Sequence, residues 1–191
     1  RGAIGDSNNA GKAGGAGGAG NAASTGNAAS TGNAANAAGT SPNAPLVRQI
    51  SLGEWSLNRA LKAGEITNLD FPLQARRTYG IAAVEYVSTF FAGKVADESY
   101  LRELRTRCDG EGVRSVLIMI DGQGDLGAAD AGARRDAIER HVRWLHAAQS
   151  LGCFAIRVNA RSEGTREEQM ERSADGIGTL ADRAQEFGLT V

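Results

Sequence analysis

Beyond about residue 46, short apolar runs alternate with longer stretches in which apolar residues recur every three or four positions. The runs Val47–Leu52, Ala82–Val87, Ser115–Ile120 and Phe154–Val158 have the length and branched content of strands, and a fifth begins at Leu189. The stretches between them read as helices. In Thr165–Phe187, residues Met170, Ala174, Ile177, Leu180, Ala184 and Phe187 fall on one face. Thr165 and Glu168 form a capping box at its start, and Gly188 ends it. Asp130–Leu151 sets Ile138, Val142, Leu145 and Ala148 on one stripe, with Gly152 just beyond. Asp97–Cys108 groups Leu101, Leu104 and Cys108, while Pro72 divides Ser56–Tyr79 into a short helix and a longer one. A strand followed by a helix, four times over, predicts a parallel sheet.

Side-chain parity then chooses between an open sheet and a closed barrel, because successive strand residues point to opposite faces. Val84 and Tyr86 oppose Ala83, Glu85 and Val87; Val116, Ile118 and Ile120 oppose Leu117, Met119 and Asp121; Phe154, Ile156 and Val158 oppose Arg157 and Asn159. One face stays apolar, fit to carry helices, and the other turns polar toward the C-terminal strand ends. A sheet covered by helices on both sides requires apolar residues on both faces. A barrel gathers its inward polar groups at the C-terminal mouth. The expected fold is α/β, a truncated parallel (β/α) barrel of about four βα units plus the start of a fifth strand. It occupies residues 46–191, and the chain stops before the barrel closes.

Composition changes the picture only at the front. Residues 1–45 hold 11 of the 26 glycines and a GNAAST repeat with no apolar face, which predicts a disordered low-complexity tether. Such a tether suits an exported or membrane-tethered protein and equally allows a cytoplasmic one. The first residue is Arg1, so something is expected to have been removed upstream. A net charge of −1 with few aromatics offers no basic stripe for nucleic acid, and no apolar run reaches the length of a membrane span. Cys108 and Cys153 read as buried, unpaired thiols. GxGxxG at Gly15, Gly17 and Gly20 lacks a strand before it. The match at Gly122, Gly124 and Gly127 follows a strand, but Asp121 would stand beside a pyrophosphate and the next helix starts late, so a dinucleotide-binding domain is the weaker reading.

The blocks ISLGEWSLNRAL, NLDFPLQARRTYGIAAVEYV, SVLIMIDGQGDLG and LGCFAIRVNARS, in this order and spacing from about Gln49 to Val191, resemble the sugar phosphate isomerase/epimerase proteins of the xylose isomerase-like barrel superfamily. The resemblance implies an enzyme that moves a proton next to a carbonyl on a carbohydrate or sugar phosphate, with a divalent ion (Mn, Mg, Zn or Co) holding substrate oxygens. It also implies that the metal ligands come mainly from the fifth strand onward, so no metal ligand and no catalytic residue is assignable within this chain. Substrate-side candidates remain at the first-half strand ends: Glu54 and Trp55, Glu85, Asp121, Arg157 and Asn159.

Each candidate also has a structural reading. Glu85 faces the substrate or pairs with Arg157; an unpaired carboxylate on that apolar strand would be costly. Arg157 and Asn159 bind substrate hydroxyls or phosphate, or fix loops. Asp121 suits a turn or a helix cap, and Trp55 lines a sugar pocket or fills the mouth. His141 and His146 read as ordinary residues on the barrel's outside. The leading function is a fragment of a metal-dependent sugar isomerase or epimerase, inactive as supplied. The alternatives are a carbohydrate lyase, a non-catalytic carbohydrate-binding barrel, and an apurinic-site endonuclease, which would need strand-end histidines that are lacking here. Open sheet flanks predict self-association into a homo-oligomer.

Overall fold

Local rules account for most helix boundaries. A computed structural model describes residues 50–191; the expected tether and the start of the first strand at Val47 lie outside them. Helix α1 is Asn58–Ala63, α2 Phe71–Tyr79, α3 Glu98–Glu111, α4 Ala131–Leu151 and α5 Arg166–Gln185. Asp97 and Asp130 cap α3 and α4 by accepting from the backbone N–H groups of Tyr100 and Ala133, and Thr165 with Glu168 closes the expected capping box on α5. Pro72 does not make the break it was expected to make. It sits in the first turn of α2, where its missing N–H costs nothing, and the break lies earlier, at Gly64 (φ 73°) and the 3₁₀ turn Asn68–Asp70.

The strands are β1 Leu52–Gly53, β2 Ala83–Val87, β3 Arg114–Met119 and β4 Ala155–Arg157. They pair in parallel in the order β1-β2-β3-β4, and Thr190 bridges to Ala155 as the start of a fifth line. Sequential order is that of a barrel wall, whereas a doubly wound sheet reverses direction part-way across. The register sets Gly53, Glu85, Leu117 and Ala155 level, and Val87, Met119 and Arg157 level one layer nearer the C-terminal ends.

The apolar face meets the helices as the parity predicts. Val84, Tyr86, Ile118 and Ile156 pack into one core with Leu104, Leu145, Leu180 and Ala184. Three residues depart from the expected stripes: Phe154 is 60% exposed, because it precedes β4, Met170 in α5 is 61% exposed, and Ala174 one turn on is exposed too. A register shift between Val84 and Glu85 accompanies a turn of Ser115 toward the helices, where its hydroxyl lies 2.9 Å from Tyr86 Oη. Cys108 Sγ is 3.0 Å from the same phenol, and both cysteines are buried and unpaired. Among the described residues, no helix is long and apolar enough to cross a membrane.

Candidate functional site at the strand ends

The C-terminal ends of the four strands are tied together by side chains. Glu54 follows β1 and is fully buried; its Oε2 accepts from the N–H of Val87 at the end of β2, at 2.8 Å. Its Oε1 accepts from Asn68 Nδ2 at 2.8 Å, and Tyr100 Oη donates to Asn68 Oδ1 at 2.8 Å. Ser88, next after Val87 and also buried, accepts from the N–H of Asp121 beyond β3, at 2.9 Å. Asp121 Oδ1 accepts from Asn159 Nδ2 beyond β4, at 2.8 Å. Burial pushes the Glu54 carboxyl up to about 7, against the pull of its hydrogen bonds from Val87 and Asn68.

This arrangement changes several expectations. Glu54 is turned inside the protein with both oxygens engaged, so it shapes the mouth from beneath instead of lining it. Asp121 caps no helix; it bridges β3 and β4, with Arg157 Nη1 3.7 Å from the same oxygen that Asn159 holds. Arg157 therefore lies against Asp121, not Glu85. The register explains this, since Glu85 lies one layer deeper and β3 separates the two strands by about 10 Å. Glu85 instead accepts from Ser51 Oγ. Trp55 is 49% exposed, with Phe90 tilted against it at 5.9 Å and Lys62 Nζ 4.5 Å above its ring.

The glycine-rich loop after β3 is not a dinucleotide turn. Gly122 and Gly124 take positive φ (71° and 91°), but α4 begins only at Ala131, and the N–H of Gly127 donates to Arg161 O. Glycine at 127 lets the loops after β3 and β4 touch, for a Cβ there would stand 2.6 Å from Ser162 Cβ. The same loop covers a cavity of about 90 Å³ that His141 lines. His141 is 97% buried (3% exposed), contrary to its reading as an ordinary outward helix residue. Its helix stripe with Ile138, Val142 and Leu145 is the signal that could have found it. His146 is exposed, with its ring 4.6 Å from that of Phe187 in a T-shaped contact.

The model of the family described as xylose isomerase-like TIM barrel matches residues 73–191. This chain belongs to that family. Solved structures with the same fold include a putative xylose isomerase from Rhodospirillum rubrum, with a TM-score of 0.60, 13% identity, 74% of this chain and 51% of that one covered. A D-psicose 3-epimerase from Clostridium cellulolyticum H10, solved with D-tagatose, has a TM-score of 0.58 at 14% identity, over 73% of this chain and 49% of that one. An IolI protein with a bound zinc atom has a TM-score of 0.55 at 15% identity, over 74% and 49%. This xylose isomerase-like chain spans about half the length of the solved structures it matches. No curated protein matches it in sequence. Among the described residues, no three His, Cys, Asp or Glu side chains converge to hold a metal ion.

Proposed function

We propose that this chain supplies part of the substrate-binding mouth of a sugar isomerase or epimerase that moves a proton next to a carbonyl. The observation that carries the reading is the Asp121–Arg157–Asn159 cluster at the ends of two adjacent strands. It offers a carboxylate acceptor, a guanidinium fork and an amide within one patch that solvent reaches. Sugar hydroxyls both donate and accept, so they suit such mixed company. The Arg157–Asp121 separation of 3.7 Å is long for an ion pair and leaves the guanidinium able to turn to a ligand. Trp55, half-exposed after β1, offers an aromatic face at the same end of the sheet. Fold likeness to sugar epimerases supports the same substrate class. The divalent metal implied by the resemblance finds no ligand set among the described residues, so their part is binding and orienting.

The test is solvent deuterium entering a ketose at the carbon beside its carbonyl, followed by proton NMR in D₂O with the complete enzyme to which these residues are proposed to belong and added Mn²⁺ or Mg²⁺. Exchange that Arg157→Met abolishes supports the proposal. Saturable sugar binding without exchange would assign a non-catalytic carbohydrate-binding barrel instead.

A further inference from the structure

The cavity under the loop after β3 is separate from the exposed cluster but adjoins it through Asn159. Besides that residue it is lined by Gln123, Gly124, Asp125, His141 and Arg161. Its roof is held firmly, since Arg140 Nε donates to Gln123 O at 2.8 Å. A Cβ on Gly124 would come 2.4 Å from Arg140 Nη2, so the loop lies directly on that guanidinium.

His141 determines the chemistry of the space. Its Nδ1 lies 2.7 Å from Ala137 O. A carbonyl oxygen only accepts, so Nδ1 carries the proton and Nε2 of the neutral ring is an acceptor. Desolvation by burial lowers the pKa of this imidazole, which keeps it neutral. Nε2 has no hydrogen-bond partner among the described residues, yet no fully buried side-chain nitrogen or oxygen there lacks one. Nε2 therefore opens onto the cavity.

We infer that this cavity receives the terminal hydroxyl groups of an unphosphorylated sugar, with His141 Nε2 accepting from one of them. The inference rests on the carbohydrate reading above and narrows its substrate class. The lining mixes acceptors, His141 Nε2 and the Asp125 carboxylate, with the donors Arg161 and Asn159, and a hydroxyl satisfies both kinds. Arg161 Nε stands 3.8 Å from Asp125 Oδ1, so the two charges offset each other and leave no net charge to hold a phosphate or an ammonium. The volume of about 90 Å³ has room for about three water-sized groups, enough for a hydroxymethyl and its neighbouring hydroxyl.

Long-range ¹H–¹⁵N NMR of the imidazoles reads Nε2 of His141 directly, and the indole N–H of Trp55 reports on the mouth. Titration with D-fructose should shift both signals saturably, while D-fructose 6-phosphate and inorganic phosphate leave His141 unmoved. His141→Phe should weaken fructose binding by about tenfold, the scale of one lost hydrogen bond. A His141 shift caused by either phosphate compound overturns the inference in favour of an anion site. Fructose moving Trp55 but not His141 also overturns it, while leaving the carbohydrate reading intact. Fructose moving neither signal overturns both. Because the wild-type spectra decide these outcomes, the folding of the variant is not critical.

Discussion

Glu54 accepts the backbone N–H of Val87 at 2.8 Å, joining the exit of β1 to the exit of β2 through a carboxylate with no solvent exposure. The stitching continues from Ser88 to Asp121 and from Asp121 to Asn159. Each strand end is thus fixed to the next by a side-chain hydrogen bond. The exposed residues at the mouth inherit their positions from two buried ones, Glu54 and Ser88.

Glu54 should make stability depend on pH. Its carboxyl titrates near 7 in the folded chain against 4.5 ordinarily, and burial is the cause. An acid whose folded pKa is raised adds stability that is fully present below the unfolded value and lost as pH rises through the folded one. Glu54→Gln is neutral throughout and removes this dependence. Urea unfolding should show wild type losing on the order of 3 kcal/mol relative to the variant between about pH 4 and pH 8. Equal differences at the two pH values would mean that Glu54 ionises normally. Glu54→Ala should destabilise at both, because Asn68 Nδ2 and the Val87 N–H lose their acceptor.

Gly176 in α5 lets the loop after β3 rest on that helix. A Cβ there would come 1.8 Å from Leu126 O, a backbone atom that cannot step aside. Alanine ordinarily favours a helix over glycine by about 1 kcal/mol. Here the clash outweighs that gain, and Gly176→Ala should lower the melting temperature and speed hydrogen exchange in residues 121–130. Gly178, two positions on, has nothing within 4 Å of its Cβ position, and Gly178→Ala should stabilise. Thermal melts of the pair check both signs.

Both thiols should be inert in the folded protein. Burial pushes Cys153 up to about 12 and raises Cys108 as well, so neither supplies thiolate near neutral pH. An aromatic disulfide reagent should titrate no more than a trace of thiol natively and two equivalents in denaturant. Rapid native labelling would show that the helix–strand layer opens far more readily than its packing implies.

Arg157 and Glu85 should separate substrate handling from stability. The Arg157–Asp121 pair is half-exposed and long, and worth under about 1 kcal/mol. Arg157→Met should therefore weaken sugar binding with little change in melting temperature. Glu85→Gln keeps an acceptor for Ser51 Oγ while removing the charge, so it too should cost little stability but lower turnover. A melting temperature that falls while binding and turnover stay unchanged would make both residues structural.

The sequence by itself determined the βα alternation, the caps at Asp97, Asp130 and Thr165, and the strand faces carried by Tyr86 and Ile118. These are local matters. A cap reaches three residues, and a strand alternates every second one, so neither needs knowledge of what lies across the sheet. Only the tertiary structure decided that Arg157 meets Asp121, that Glu54 is buried beneath the mouth, and that His141 opens onto a cavity. Parity placed Glu85 and Arg157 on one face but could not give their layers. Inter-strand register is set by how whole helices pack against the sheet, and a shift of two residues along a strand keeps the face while exchanging every neighbour.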